Sequence, residues 1–364
     1  EQTEVAAEKG ENSMMESLIA NWDGESLVIH KDRLTAAVII IAIHSSRLGP
    51  ATGGTRMKSY PGLARAVEDA FKLSAGMTYK FAVPGMKRGG GKAVIALPGP
   101  LAAEERADLL RRYGGLIHQL GGLYYTGPDV GTSAADMDII AETGRPYVFC
   151  CTPEAGGAGS SGPYTALGVY AAIQVAYEHV SGRDSLGGCR VLVQGVGSVG
   201  RGLIDPLLSA GAMVLFSEVD EGLIAYYRDE LGLQYVPPDQ VPATDCDIYA
   251  PCALGGVLNG ETIPRLRCRA IAGGANNQLA TPEDAQALLA RGILYAPDFV
   301  VNVGGAMGIT GMELDGWSAA EARDQVTTSV RRALQRIFQC SEEEGITTYA
   351  AACRIAEANL GLSA

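Results

Sequence analysis

The fold of this chain is decided by the stretch Arg190-Val-Leu-Val-Gln-Gly-Val-Gly-Ser-Val-Gly200. Strand-forming residues come first, then glycines at the spacing GxGxxG, and then a helical pattern that runs to Ala210. The first glycine permits a tight turn, the second lets a pyrophosphate approach the backbone, and the third lets helix and strand pack closely. This order predicts a dinucleotide-binding βαβ unit, with cofactor contacts from Gly195, Gly197, Ser198, Val199 and Gly200.

Glu218 follows the next predicted strand, Met213–Ser217, and is expected to bind the cofactor as well. A carboxylate at this place accepts hydrogen bonds from an adenosine ribose diol and repels a 2′-phosphate, so it favours NAD over NADP. Arg228, in the following helical pattern, leaves accommodation of that phosphate open as an alternative. The plainer interpretation is a tight turn beside a solvated glutamate, and the complete order of strand, turn and helix argues against it.

The rest of the chain alternates strands and helices in two blocks. Short strands follow the glycine turn at Ile248–Ala250, Ala270–Ala272 and Ile293–Tyr295, and β-branched runs alternate with helical patterns before residue 150. The stretch between the blocks, Thr152–Pro163, is rich in small and turn residues and is typical of a hinge. We therefore predict an α/β protein with an interdomain cleft and a Rossmann-type, doubly wound second domain.

The expected boundaries follow from the hinge. Residues 1–150 are predicted to form an N-terminal α/β domain for substrate binding and oligomerisation, and residues 151–334 to form the dinucleotide-binding domain. The helices at about 335–364 are candidates for packing back on the first domain.

Composition excludes several classes of partner and site. The chain has 364 residues and a formal net charge of -12, which repels the phosphate backbone of nucleic acids. Its apolar runs are too short to cross a bilayer. The 8 cysteines and 4 histidines lack the spacing of a disulfide framework or a zinc site, so we expect reduced thiols, a cytoplasmic location and no metal.

Gly89-Gly-Gly-Lys92 precedes an apolar strand, and the absence of a following Ser or Thr and helix argues against a phosphate-binding P-loop. We expect Lys92 to project from a glycine turn, close to Lys80 at the end of a helical stretch. Two close, partly desolvated lysines lower each other's pKa, so one acts as a general base while the other binds a carboxylate. Asp129 is the third candidate, for proton relay and charge balance. A solvated surface charge is the plain interpretation of either lysine.

Together these motifs resemble the glutamate/leucine/phenylalanine/valine dehydrogenase family, most closely its leucine, valine and phenylalanine branch. The similar segments are spread from Ser26 to Gly311. They are Leu48-Gly-Pro-Ala-Thr-Gly-Gly-Thr-Arg-Met57, Ala75-Gly-Met-Thr-Tyr-Lys80, Gly89-Gly-Gly-Lys92, Thr126-Gly-Pro-Asp-Val130, the Gly195 turn, Ala250-Pro-Cys-Ala-Leu-Gly-Gly256, Ala275-Asn-Asn-Gln278 and Tyr295-Ala-Pro-Asp-Phe299.

The resemblance implies an oligomeric enzyme that uses NAD to deaminate an L-amino acid oxidatively and reversibly to its 2-oxo acid and ammonium. In that family the lysine of GGGK activates water as the base, the lysine after MTY binds the substrate carboxylate, and the aspartate of GPDV assists proton transfer. Lys92, Lys80 and Asp129 stand at these positions. The other residues implied are Gly53, Gly54 and Met77 for the substrate, and Thr165, Ala250, Asn276 and Asn277 for the cofactor.

The substrate pocket is expected to be apolar, with walls from Thr52, Gly127, Val300, Val303 and Met307. Thr52 and Gly127 are smaller than the residues usual in leucine-type members, so we predict an enlarged pocket that takes a bulky apolar or aromatic side chain and not glutamate.

A homo-oligomer is expected, with the apolar strand Val38–Ile43 as a contact surface. Two alternatives stay open: a non-catalytic NAD-binding regulator, and a 2-hydroxy acid dehydrogenase, which would need a histidine base that the similar segments lack.

Overall fold

The computed structural model describes residues 14–362, and these divide into two compact units that meet in sequence between Ser160 and Ser161. Unit 1 and unit 2 each contain one β-sheet with helices. The predicted α/β class with a parallel Rossmann-type sheet is confirmed. The boundary lies inside the predicted hinge stretch and ten residues after the expected end of the first domain, because Pro153–Ala155 forms a 3₁₀ turn that belongs to unit 1.

Unit 1 is built on a mixed sheet with the strand order β1-β2-β4-β3-β5. Strand β2 pairs antiparallel with β1 and with β4, whereas β3 pairs parallel with β4 and β5. The strands are β1 (Ser26–Lys31), β2 (Val38–Ser45), β3 (Ala51–Ser59), β4 (Gly89–Leu97) and β5 (Tyr124–Pro128). The helices are α1 (14–21), α2 (Leu63–Ala82), α3 (Ala103–Gln119) and α4 (Ala134–Gly144).

Strand β2 is apolar on both faces because helices cover both sides of the sheet. Ile39, Ile41 and Ile43 belong to a core cluster with Leu109 and Tyr113 of α3. The alternate residues Ile40 and Ala42 belong to a second cluster with Val67 and Phe71 of α2. Strand β1 pairs with one edge of β2, and β4 pairs with the other edge. The expectation that Val38–Ile43 is a contact surface was therefore wrong.

Two segments of unit 1 differ from the sequence prediction. Strand β3 was not foreseen, because its core, Ala51-Thr-Gly-Gly-Thr55, has no apolar run. The glycines before Lys92 belong to β4 and do not form a turn. Thr78 of α2 packs so closely on Gly90 that any side chain there would overlap it, whereas a side chain at Gly89 would overlap the Ser45 carbonyl and one at Gly91 the Tyr124 ring.

Unit 2 contains a parallel sheet with the order β8-β7-β6-β9-β10-β11. The chain reverses its direction of winding between β6 and β9, as in doubly wound nucleotide-binding folds. The strands are β6 (Arg190–Gln194), β7 (Met213–Ser217), β8 (Gln234–Tyr235), β9 (Ile248–Pro251), β10 (Ala270–Ile271) and β11 (Leu294–Tyr295). The helices are α5 (Gly162–Ser181), α6 (Ser198–Ser209), α7 (Glu221–Ala225), α8 (Asp284–Ala290), α9 (Asp298–Val301), α10 (Gly304–Leu314), α11 (Ala319–Glu344) and α12 (Thr348–Asn359).

The C-terminal helices belong to unit 2 and not to unit 1. Helix α12 contacts α11 and β11, and its Thr348 hydroxyl donates a hydrogen bond of 2.6 Å to the Tyr295 carbonyl. This buried polar contact anchors the helix on the sheet of unit 2.

Residues 14–362 lack both a membrane-spanning helix and a cluster of metal ligands. No helix there combines the length and apolar character needed to cross a membrane. The same part of the chain has no group of three or more His, Cys, Asp or Glu side chains arranged to hold a metal ion.

Candidate functional site

Parallel strands bring the candidate catalytic side chains of unit 1 together. Strand β3 lies between β4, which carries Lys92, and β5, after which Asp129 follows directly. Arg56 lies on β3, where the neighbouring residue Thr55 is in register with Ala93 of β4 and Pro128 of β5. Three charged side chains from three segments therefore meet on one sheet.

Lys92 and Arg56 both bind Asp129 through the same carboxylate oxygen. Lys92 Nζ lies 2.9 Å from Asp129 Oδ2, and Arg56 Nε lies 2.8 Å from that atom. Lys92 is only 5% exposed, so its ammonium is almost fully removed from water. The predicted Lys92 and Asp129 pair is thus in direct contact.

Arg56 has a second acidic partner. Its Nη1 lies 3.0 Å and 3.2 Å from the two carboxylate oxygens of Asp69 on α2. Tyr60 donates a hydrogen bond of 2.6 Å to Asp69, and Lys58 Nζ lies 3.9 Å from the same carboxylate. The charges alternate in sign from Lys92 through Asp129 and Arg56 to Asp69.

These surroundings shift the protonation of the central pair. Burial lowers the pKa of Lys92 below its usual value, Asp129 opposes this effect, and the charge of Arg56 adds to it. Burial works against the charged form of Asp129, but Lys92 and Arg56 together hold the pKa of that carboxyl below its usual range. Arg56 is thus a second cation at the carboxylate of Asp129, a contact that was not predicted from the sequence.

Lys80 lies in the last turn of α2 and is half-buried. Thr78, two residues earlier, packs against Gly90, which is two residues before Lys92. The end of α2 and the start of β4 are therefore in contact. Met77, on the same turn, is half-buried.

Gly53 and Gly54 allow β3 to lie close to its neighbours. A side chain at Gly53 would overlap the Gly91 carbonyl, and one at Gly54 would come within 2.9 Å of Asp129 Cβ. The β3–β4 register has pairs at Thr52 and at Thr55 and none at the two glycines between them. This interruption leaves a gap in the strand ladder beside Lys92.

Two expected pocket residues in unit 1 are closely packed by their neighbours. Thr52 is fully buried, and its hydroxyl donates a hydrogen bond of 3.0 Å to the Pro50 carbonyl. The ring of Phe149 fills the position that a side chain at Gly127 would occupy. The absence of a side chain at Gly127 is thus compensated by Phe149, a residue that the sequence analysis did not consider. In unit 2, Val300, Val303 and Met307 are buried in α9 and around the start of α10.

The predicted cofactor residues of unit 2 lie at the crossover between β6 and β9. Gly195 has φ +87°, in the left-handed region that glycine adopts readily, and its N–H donates to the Ser217 carbonyl at 2.8 Å. Helix α6 begins at Ser198 after Gly197 and has no side-chain cap, so the amides of its first turn have no side-chain acceptor. An uncapped helix start after a glycine turn fits a pyrophosphate.

Glu218 accepts hydrogen bonds from the glycine turn. Its carboxylate binds the N–H of Val196 at 2.9 Å, that of Val219 at 2.7 Å and that of Asp220 at 3.3 Å. Partial burial acts to raise the pKa of Glu218, but these amides hold it below its usual value. Arg228, the alternative phosphate ligand, binds the adjacent Asp229 with Nε at 2.7 Å.

The remaining predicted cofactor residues are placed as follows. Ala250 is fully buried in β9, and the Thr165 hydroxyl donates to the Ser161 carbonyl at 3.1 Å. Asn276 Oδ1 accepts a hydrogen bond of 2.8 Å from Asn302. Asn277 has φ +52°, and its N–H donates to Asp298, a buried acid at the start of α9. Asn302 and Asp298 thus hold Asn276 and Asn277 in place, and neither residue was predicted from the sequence to have a role in the site.

Arg56, Asp69 and Tyr60 are the polar residues of unit 1 that sequence reasoning missed. Arg56 stands inside one of the motifs quoted above, yet it received no role because the segment was not seen as a strand. The usable signal in the sequence was a charged residue placed directly between Thr55 and Met57, within a segment that was already recognised as a motif. Such a residue requires a buried partner of opposite charge.

Comparisons with known proteins agree over most of the chain. Residues 27–145 match the family model described as Glu/Leu/Phe/Val dehydrogenase, dimerisation domain. Residues 213–360 match the model described as Glutamate/Leucine/Phenylalanine/Valine dehydrogenase.

Three individual relatives illustrate the similarity. Leucine dehydrogenase of Geobacillus stearothermophilus is 40% identical over 336 residues, which cover 92% of this chain and 90% of that protein. Valine dehydrogenase of Streptomyces albus is 42% identical over 341 residues, with 92% and 91% covered. The crystal structure of L-tryptophan dehydrogenase from Nostoc punctiforme superimposes with a TM-score of 0.84 at 36% identity and covers 95% of this chain and 98% of that chain.

Proposed function

The chain belongs to the Glu/Leu/Phe/Val dehydrogenase family, and from that membership we propose that it deaminates an apolar or aromatic L-amino acid oxidatively and reversibly. The products are the 2-oxo acid and ammonium, and NAD is the cofactor. The observation that carries this function is the buried ion pair of Lys92 with Asp129 at 2.9 Å. Nothing in the comparisons favours the non-catalytic regulator.

Lys92 is the proposed general base. Loss of the Cα hydride from the amino acid leaves an iminium, whose carbon is attacked by water. The burial of Lys92 destabilises its ammonium form, so its amine is available to take a proton from that water. Asp129 contacts Lys92, and its carboxylate balances the positive charge that Lys92 gains when it takes up that proton. The carbinolamine then collapses to the 2-oxo acid and ammonium.

Orientation of the substrate is assigned to residues around this pair. Lys80, on the turn of α2 that contacts β4, binds the substrate carboxylate, and Met77 on the same turn contacts the substrate. Gly53 and Gly54 offer backbone amides where the strand ladder is interrupted. A fixed carboxylate holds the Cα–H bond in one direction, which lowers the entropic part of the barrier.

Unit 2 has the residues to hold NAD. Gly195, Gly197, Ser198, Val199 and Gly200 receive the pyrophosphate at the start of α6, and Glu218 receives the ribose diol. We assign Thr165, Ala250, Asn276 and Asn277 to the nicotinamide side. When bound, NAD supplies the hydride acceptor for the Cα–H bond. Arg228 pairs with Asp229, which offsets the charge of the candidate ligand for a 2′-phosphate and supports NAD over NADP.

The substrate side chain is apolar or aromatic in this proposal. Phe149 and Thr52 in unit 1, and Val300, Val303 and Met307 in unit 2, are the proposed selectivity residues, and none of them is charged. A carboxylate in the substrate side chain would lose its hydration without gaining a cation. Phe149 now replaces Gly127 as the residue that sets the space at β5.

A substrate panel tests the function. The purified chain is mixed with NAD and, in turn, L-Phe, L-Trp, L-Leu, L-Val and L-Glu, and the initial rate of NADH formation is followed by absorbance. We expect turnover of one or more of the first four and the slowest rate with glutamate. Fastest turnover of glutamate contradicts the apolar pocket, and NAD binding without turnover of any amino acid contradicts the enzyme.

We further propose a homo-oligomer in the cytoplasm. The family description of residues 27–145 names a dimerisation domain, and the acidic net charge of -12 agrees with a freely dissolved protein. Strand β1 is one of the two edge strands in the sheet of unit 1, and its Ile29 is 46% exposed. An open edge with an exposed apolar side chain is a suitable place for a second copy to bind.

A further inference from the structure

The single oxygen that Lys92 and Arg56 share on Asp129 has a consequence for the base. Building on the proposed function, we propose that Arg56 is a positioning residue for deamination: it takes part of the charge of Asp129 and so lets Lys92 release its proton. The geometry that supports this is the pair of distances to Asp129 Oδ2, 2.9 Å from Lys92 Nζ and 2.8 Å from Arg56 Nε.

An isolated lysine and aspartate pair would be a poor base. A carboxylate that binds only one ammonium stabilises the charged form of that ammonium and holds its proton. A guanidinium keeps its charge at all accessible pH values, so Arg56 competes with the ammonium at Oδ2 permanently. With Arg56 in place, Asp129 keeps a balancing partner when Lys92 becomes neutral.

Asp69 determines how strongly Arg56 competes with the Lys92 ammonium for Asp129. It accepts hydrogen bonds from Arg56 Nη1 on both carboxylate oxygens, at 3.0 Å and 3.2 Å, and Tyr60 fixes it with a hydrogen bond of 2.6 Å. The negative charge of Asp69 offsets part of the positive charge of Arg56. Removal of Arg56 and removal of Asp69 should therefore move the proton affinity of Lys92 in opposite directions.

The other charged and titratable groups on the elements around Lys92 are accounted for as follows. Strand β3 carries Lys58, which lies 3.9 Å from Asp69, and β2 carries His44, which binds Thr78 and Asp23. Helix α2 carries Lys80, the proposed carboxylate ligand, and β5 carries the buried Tyr124. Burial is the largest influence and lowers the pKa of Lys92, Arg56 lowers it further, and Asp129 and Asp69 raise it.

The test is the pH dependence of kcat/KM for deamination of the best amino acid by the full chain with NAD. Activity rises with pH as Lys92 loses its proton, so the acidic limb reports the pKa of this base. R56Q should move the acidic limb to higher pH by roughly one unit, because one nearby positive charge is lost. D69N should move it to lower pH by a smaller amount, because Arg56 then carries its full charge.

Two further variants separate this effect from loss of structure. R56K keeps the positive charge and should return most of the R56Q shift. R65Q removes an exposed arginine on α2 that pairs with Glu68, and it should leave the limb in place. General damage to the fold lowers activity at every pH and does not produce shifts of opposite sign.

The outcomes distinguish this inference from the proposed function. An active wild type whose acidic limb is the same in R56Q and D69N overturns the role of Arg56 and leaves the deamination intact. Shifts of the same sign in both variants also overturn it. A wild type that turns over no amino acid overturns the proposed function, and this inference with it. If R56Q does not fold, R56M, which removes the same charge but keeps an unbranched apolar side chain at this half-buried position, takes its place and should move the acidic limb in the same direction.

Discussion

Lys92, the proposed general base, combines almost complete burial with a direct acidic partner. We expect Lys92→Ala to lower kcat by about 10²- to 10⁴-fold, the range for loss of a general base. The substitution lies in unit 1, whereas the proposed NAD residues lie in unit 2, so the NAD dissociation constant should stay unchanged. Steady-state kinetics and calorimetric titration with NAD measure the two effects.

The control for this variant is Lys72→Ala, which removes an exposed lysine from α2. It should change neither quantity. Equal loss of NAD binding and turnover in Lys92→Ala would show that the residue acts through the fold and not through proton transfer.

Gly127 illustrates how a small residue can be required without opening a pocket. The ring of Phe149 occupies the place of its missing side chain. Gly127→Ala should therefore lower the free energy of unfolding by about 1–3 kcal/mol through overpacking. The double variant with Phe149→Leu should recover part of that loss, as measured by denaturant unfolding.

A matched glycine is available on α2. A side chain at Gly76 would meet no heavy atom within 4 Å, and the residue lies inside a helix. Gly76→Ala should keep or raise stability, because alanine is the better helix former. A Gly127→Ala protein as stable as the wild type would mean that the ring of Phe149 can move aside without cost.

The connection between β1 and β2 is tied to α3 by a buried acid. Asp32 is 3% exposed, and Arg112 of α3 binds it with Nε at 2.6 Å and Nη2 at 2.9 Å. Hydrogen bonds from Arg112, and then from Thr35, hold the pKa of Asp32 below its usual range. A carboxyl with a lowered pKa in the folded state adds stability above its unfolded pKa of about 4 and loses it as pH falls further.

Asp32→Asn should therefore cost about 1–2 kcal/mol of unfolding free energy at neutral pH, since Arg112 is itself partly exposed and screened. The difference from wild type should shrink below about pH 4, where the wild-type carboxyl takes up its proton on unfolding. Asp108→Asn is the control, because it breaks an exposed pair with Arg111 on the same helix. Its effect should stay under about 0.5 kcal/mol, and equal losses in the two variants would contradict the role of burial.

The elements that the sequence predicted well are those with a strong pattern. Strand β2 has a long β-branched run, and β6 with α6 has the glycine fingerprint, so both were found at nearly their observed places. Strand β3 was missed because glycines and threonines are poor strand signals, and its pairing depends on β4 and β5, which are distant in sequence. The local sequence pattern of β3 does not show which distant strands will pair with it.

The same reasoning applies to the site. Lys92 and Asp129 were found through their motifs, and their contact at 2.9 Å agrees with that assignment. Arg56 and Asp69 were missed because their meaning depends on the tertiary fold, which brings β3 and α2 to the same carboxylate. Phe149 was missed for a similar reason, since only the folded chain shows that it packs over Gly127.

At the scale of the whole molecule, the proposed homo-oligomer predicts the mass of the particle in solution. We expect light scattering after size exclusion to give a multiple of the 38.0 kDa chain mass. Ile29→Lys places a charge on the exposed edge of β1 and should weaken assembly by direct repulsion between copies. Leu34→Lys, on the exposed β1–β2 connection, is the control for an added charge. A wild-type mass of one chain would contradict the homo-oligomer.

Strand β2 is covered by helices on both faces and is paired on both edges. Its position should therefore limit local opening of the sheet in unit 1. Its backbone N–H groups can exchange with deuterium from solvent only when a neighbouring strand or the whole unit opens. Amides of β2 are thus expected among the slowest to exchange in unit 1, while those on the outer edge of β1 exchange through local fraying. Because β4 pairs with β2, the same slow opening should keep the backbone of β4 rigid and hold the side chain of Lys92 in place beside Asp129.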